Sequence, residues 1–184
     1  MIKLKTNNKV LKLVTCALFA ALSCVTTIVV QVPSALGGYV NLGDCSVILG
    51  GWLLGGPYGF LAAAIGSALA DIIVSFVSYA PGTFVIKGLV ALVAYFVYKE
   101  LKPTPLGKYG FFCRIIAAIC AELVMIIGYY FYESLAIGLD FEAALANVPF
   151  NAVQGVFAIV SSVILIEIIG SNKFLSKFFN KLNV

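Results

Sequence analysis

Apolar residues run almost unbroken through 10–30, 83–98, 111–133 and 147–170. A helix rises about 1.5 Å per residue and a bilayer core is about 30 Å thick, so runs near 20 residues read as membrane spans. The stretch 45–77 is too long for one straight span and short for two. Gly55-Gly56-Pro57-Tyr58-Gly59 breaks it with a strong turn signal.

The charge pattern settles the count. Lysine and arginine fall into three groups: Lys3, Lys5, Lys9 and Lys12; Lys99, Lys102, Lys108 and Arg114; Lys173, Lys177 and Lys181. Only Lys87 stands apart. Basic residues flanking spans mark the cytoplasmic side. An even number of spans must therefore separate the first two groups, and 45–77 has to cross twice. The opposite loops agree, since 31–44 carries only Asp44 and 133–148 carries Glu133, Asp140 and Glu142. The pattern predicts one all-α membrane domain over 1–184. Its six helices lie near 10–30, 45–56, 60–77, 82–99, 111–133 and 147–170, with both termini cytoplasmic. The second helix is unusually short. The first run is read as a retained span, because no small-residue cleavage site follows it.

Composition supports this class. Of 184 residues, 62% are apolar and 11% charged, against about a quarter charged in soluble domains. The net charge of +4 belongs to the membrane flanks and implies no nucleic-acid partner. There is no histidine, which removes the usual general base and metal ligand. The five cysteines lie mostly in apolar runs without a Cys-x-x-Cys pair and read as small packing residues. Three widely separated aspartates and no Gly-x-x-x-x-Gly-Lys-Ser/Thr loop argue against a membrane phosphotransferase or a nucleotidase. No metal site, cofactor or enzymatic activity is expected.

Four ionisable residues fall inside the predicted spans: Asp71, Lys87, Glu122 and Glu167. Such groups are costly in lipid and often functional. Topology puts Asp71 in the outer half of the third helix, Lys87 roughly 8–9 Å along the fourth and Glu122 near the middle of the fifth. Glu167 lies near the inner end of the sixth, where it reaches the interface. Helical phase aligns Glu122, Ile126, Tyr129 and Glu133 on one face, and Asn147, Asn151, Gln154, Ala158 and Ser161 on another. These stripes and Lys87 converge on a pocket open to the outside. The competing account makes them interhelical ties, with Lys87 paired to Glu122 or Asp71. That account does not explain why they share one leaflet.

Four further stretches carry a family resemblance: Ala17-x-x-x-Ala21, GGYVNLGD at 37–44, LLGGPYGFLAAAIGSALADI at 53–72 and YAPGTFVIKGL at 79–89. Together with the size and the six helices, they resemble the substrate-binding S components of energy-coupling factor (ECF) vitamin transporters. Within these the chain is similar to the riboflavin-type subgroup, which also includes proteins assigned to pyridoxine-like and pyrimidine precursors. The resemblance implies a subunit of the bacterial cytoplasmic membrane that binds a vitamin from outside with high affinity. It also implies association with a transmembrane T subunit and two cytoplasmic ATPases, with Ala17 and Ala21 facing the T subunit. The loop at about 32–44 would cap the pocket and the last three helices would line it. The subunit would topple in the membrane to deliver its cargo.

Asn41, Lys87, Glu122, Tyr129, Tyr130, Asn151 and Gln154 are the candidate ligand-binding residues. Aromatic rings would stack on a heterocycle while amides and charges read its hydroxyls and ring nitrogens. A pyridoxine-like (B6) or hydroxymethylpyrimidine cargo suits this mix. Riboflavin, pantothenate or a queuosine precursor is the alternative, as is a self-contained secondary carrier, although no internal repeat supports the carrier. In YVNLGD, Asp44 is placed to cap the second helix, Gly43 allows a close approach, and Asn41 is left with a free side chain.

Overall fold

The structure, a computed structural model, describes residues 8–34 and 38–182. Lys3, Lys5 and residues 35–37 of the capping loop lie outside the described residues. The elements are α1 (Asn8–Val29), β1 (Gln31–Pro33), β2 (Tyr39–Asn41), α2 (Gly43–Leu54), α3 (Gly56–Ile73), α4 (Ala80–Leu101), α5 (Gly110–Tyr132), α6 (Phe141–Leu145), α7 (Val148–Ser171) and α8 (Lys173–Leu182). Five helical stretches are long and apolar enough to cross a membrane, and α2 is a shorter apolar helix. These are the six membrane helices expected, with α7 as the sixth span. Predicted helix bounds shift by up to four residues at the third helix, which runs 56–73 rather than 60–77. Gly55, at φ 81, makes the sharp turn from α2 into α3, and Pro57 opens α3 where its missing N–H costs nothing.

Three features were not predicted. The loop after α1 is a two-stranded antiparallel hairpin, with Gln31 opposite Asn41 and Pro33 opposite Tyr39. A π-turn over Glu133–Ile137 and the short α6 join α5 to α7. The chain also continues past α7 into α8, whose lysines and phenylalanines segregate to opposite faces. An amphipathic helix of this kind lies along an interface. Phe178 and Phe179 of α8 pack against Leu54 at the inner end of α2 and against Phe19 of α1. This contact puts α8 on the same side as the start of α1. Arg114 meets Glu167 at 2.5 Å nearby, at the membrane edge where Glu167 was placed.

The helices touch closely because small residues stand at the crossings. A Cβ on Gly51 of α2 would fall 2.3 Å from the Ala91 carbonyl oxygen of α4, and one on Gly66 of α3 would fall 2.2 Å from the Ala20 carbonyl oxygen of α1. Trp52 Nε1 donates to the Ala94 carbonyl at 3.0 Å and fixes α2 on α4 from the inner side. Ser46 of α2 lies 3.1 Å from both Ser23 and Thr26 of α1, a hydroxyl cluster between helices. All five cysteines are free thiols, as the sequence implied.

The α2–α4 crossing gives a direct check. Gly51→Ala drives a methyl into backbone and should cost about 1–3 kcal/mol, the usual range for overpacking. Gly170→Ala, with nothing within 4 Å of the new methyl, should leave stability unchanged. Thermal unfolding of the detergent-solubilised protein, followed by the single tryptophan, distinguishes the two.

Candidate functional site

The centre of the site is a buried ion pair. Lys87 of α4 binds Asp44 of α2, and both are essentially inaccessible. Gln154 of α7 donates from Nε2 to the second Asp44 oxygen at 2.5 Å and accepts the Asn41 backbone N–H on Oε1 at 2.7 Å. Both amide groups of Gln154 are thereby used, one toward the helix and one toward the hairpin. The Lys87 ammonium also stands 5.3 Å from the Tyr129 ring centroid, within cation–π range. Five elements thus meet around one charge pair: α2, α4, α5, α7 and the hairpin strand β2.

This arrangement reverses two expectations for residues 39–44. Asp44 lies in the first turn of α2 but makes no cap hydrogen bond, because Lys87 and Gln154 occupy its oxygens. Asn41 takes the local duty instead: its Oδ1 accepts the Gly43 N–H at 2.9 Å. Asn41 is not the free side chain it was expected to be. Lys87 pairs with neither Glu122 nor Asp71. Gly43 does permit a close approach, since a Cβ there would fall 2.1 Å from Thr27 Oγ1.

Above the ion pair and below the hairpin lies a cavity of about 30 Å³, lined among others by Tyr39, Asn41, Asp71, Tyr79, Thr83, Tyr129, Glu133, Asn151 and Gln154. Of the candidate residues, Asn41, Tyr129, Asn151 and Gln154 reach this lining. Lys87 and Glu122 do not line it, being 2% exposed in the packing between helices. Both Glu122 carboxylate oxygens lack a hydrogen-bond partner, and the group rests against Gly155 of α7. Tyr130 is directed elsewhere, against Phe131 and Phe141 of α6. A larger groove of about 590 Å³ runs along the outer flank of the hairpin, but Val32, Leu42, Phe150 and Phe157 make it almost wholly apolar. It suits acyl chains rather than a polar ligand.

Sequence reasoning missed Asp44, Tyr39, Tyr79 and Thr83. Tyr39 donates to Asp71 Oδ1 at 2.5 Å, tying the hairpin to α3. Burial first, then that bond to Asp71, push the Tyr39 phenol well up, so it remains a donor. Tyr79 is pushed up to about 12 by burial and then by the neighbouring Glu133. Thr83 and Tyr129 share a hydrogen bond at 3.0 Å across α4 and α5. Phe76 packs on both Tyr39 and Tyr79, with ring centroids 5.0 and 6.0 Å away. The spacing Thr83 to Lys87, one turn apart on one helix face, was a legible signal for Thr83. The tyrosines precede α2 and α4, where no periodicity applies.

The family model described as ECF-type riboflavin transporter, S component, matches residues 7–171. A Pyrococcus woesei protein, described as an uncharacterized protein in gap 3'region, is 34% identical over 106 residues; the match covers 57% of this chain and 66% of that relative. The fold is similar to the solved structure of the S component of a bacterial ECF transporter, with a TM-score of 0.66 at 21% identity over 88% of this chain and 96% of that one. It is also similar to an S component for biotin from an ECF-type ABC transporter, with a TM-score of 0.60 at 18% identity over 96% and 100% of the two chains.

The ion pair makes a sharp stability prediction. Removing one partner strands a buried charge, so Asp44→Ala should destabilise by about 3–5 kcal/mol. Asp44→Asn combined with Lys87→Met removes both charges and keeps an acceptor for Gln154, so it should recover most of that loss. Unfolding titrations of the two variants check this; equal loss in both would separate Asp44 from Lys87 energetically.

Proposed function

The chain belongs to the ECF-type riboflavin transporter S-component family, and we propose that it captures a water-soluble vitamin or vitamin precursor in the polar cavity beneath the hairpin. S components are substrate-binding subunits of vitamin transporters rather than enzymes, and they work with T and ATPase subunits. The observation that carries the reading is the convergence of Asp71, Tyr129, Asn151 and Gln154 under a hairpin on the outer side of a multi-pass membrane fold. Polar side chains from three helices face one another there instead of lipid, which suits a site for a polar molecule taken from water.

A drug-sized ligand needs a pocket of about 300 Å³ or more, far above the roughly 30 Å³ enclosed beneath the hairpin. Binding therefore includes displacement of the hairpin. Its attachments are few: Tyr39 to Asp71, Asn41 to Gln154, and the Phe76 ring contacts. The cargo class that fits best is a small pyridine or pyrimidine alcohol, pyridoxine-like or hydroxymethylpyrimidine, held by tyrosine rings and amides. Asn151 reads the polar edge directly, and Gln154 does so with the Oε1 that displacement of the hairpin releases from the Asn41 N–H. Lys87 acts from beneath, through Asp44 and the Tyr129 ring, Glu122 lies buried against Gly155, and Tyr130 supports α6 rather than the cargo.

ATP hydrolysis would reside in two partner ATPases, and delivery would occur through a T subunit docked on α1. Ala17 and Ala21 are exposed on α1, the least buried of the spans, which supports their assignment to that contact. Small residues there let a partner helix approach closely.

Two measurements test the reading. Calorimetric titration of the purified chain with a panel of water-soluble vitamins and precursors should find one that binds with a Kd below about 1 μM; a panel with no binder overturns it. Ala17→Trp with Ala21→Trp should abolish capture of the T subunit and leave vitamin affinity within about threefold. Loss of vitamin affinity would make the pair internal packing.

A further inference from the structure

We propose that the cargo is a cationic nitrogen heterocycle and that Asp71 is its counter-ion. This rests on the binding-subunit reading above and names the chemistry that the cavity selects. Two carboxyl groups, Asp71 and Glu133, line the cavity, and no lysine or arginine is among its described lining residues. Among the described residues the cation beneath it is Lys87, which is already paired with Asp44. A further carboxyl group, Glu122, lies buried on the same face of α5 as Tyr129, two turns below it. The outer half of the bundle thus holds an excess of acidic groups over basic ones.

Hydrogen bonding points the same way. Asp71 is 4% exposed, faces the cavity, and its Oδ2 has no partner. Thr83 stands beside it but outside hydrogen-bond geometry to Oδ2, and its hydroxyl pairs with Tyr129 at 3.0 Å. Tyr39 supplies the single hydrogen bond to the other oxygen. Glu133 is better satisfied, with Asn147 donating to its Oε2 at 3.1 Å and Tyr79 standing against it. A buried acceptor left unsatisfied is costly, and more so when charged. A ligand bearing an N–H⁺ donor removes that cost; an anionic ligand adds repulsion to it.

The walls suit a cation as well. Tyr39, Tyr79 and Tyr129 bring three aromatic rings to the same cavity. Aromatic faces attract cations, most strongly when water is excluded. Surplus acceptors, an absence of lining cations and a tyrosine cage are three separate features with one complementary ligand: a flat ring carrying a positive nitrogen and N–H or O–H donors.

The test uses the full chain in detergent and compares ligands by charge. The panel contains thiamine, pyridoxamine and pyridoxine, which carry a positive nitrogen at neutral pH, riboflavin as a neutral ring, and pantothenate, biotin and 4-pyridoxate as anions. The expected tightest binder is one of the first three, with pyridoxamine favoured over 4-pyridoxate at least thirtyfold on an otherwise identical ring. Asp71→Asn, which keeps the shape, should reduce the affinity of that cation at least thirtyfold. Gly170→Ala, at the other end of α7 and outside the cavity lining, should change it less than fivefold. Retention of the far-ultraviolet helical signal and of the unfolding midpoint in Asp71→Asn excludes misfolding. A tightest binder that is neutral or anionic overturns the charge inference and leaves the binding-subunit reading standing. So does an Asp71→Asn variant that keeps the cation preference. Absence of any binder in the panel overturns the binding-subunit reading, and this inference falls with it.

Discussion

The Lys87–Asp44 pair is the constraint on which the outer half of the molecule depends. A charge in a membrane interior is tolerated only when another group meets it. Lys87 sits about 10 Å along α4 from its start at Ala80, by helical rise. Asp44 must reach that depth, and it is the second residue of α2. The start of α2 is therefore pulled well below the membrane surface. The hairpin that leads into α2 is pulled in after it, and Gln154 fastens the hairpin to the same carboxylate.

This explains the short second span. With 12 residues, α2 is about 18 Å long, against a hydrocarbon core of about 30 Å. The missing length lies above Asp44, where the hairpin and the polar cavity take its place. At the inner end Trp52 still reaches Ala94, and the phenylalanines of α8 cover Leu54. The helix is short because the site occupies its outer portion. The same geometry puts polar side chains of α3, α4, α5 and α7 around a space that lipid cannot enter.

The energetic logic separates satisfied from unsatisfied buried groups. Asp44, Lys87 and Gln154 satisfy one another and act as a floor. Asp71 is only half satisfied, and Glu122 has no hydrogen-bond partner. Small residues carry the rest: Gly51 and Gly66 allow backbones to meet, which holds the floor helices at fixed separation. Rigid crossings below and few attachments above leave the hairpin as the part of the site that can yield.

The sequence alone determined the class, the number of spans and most of the stripes. Those follow from hydrophobic run length, basic flanks and helical period, all local properties. It also placed Asn151, Gln154 and Tyr129 on the inward faces of their helices, because phase within one helix is readable. Only the tertiary structure decided who pairs with whom. Asp44 and Lys87 are 43 positions apart and Asp44 and Gln154 are 110 apart. No periodicity links such distant residues, and Asp44 at a helix start looked like a cap by every local rule. Asn41 lost its apparent freedom for the same reason: the depth of α2 is set by a buried charge on another helix, and that depth decides which of the two residues caps and which holds the cluster together.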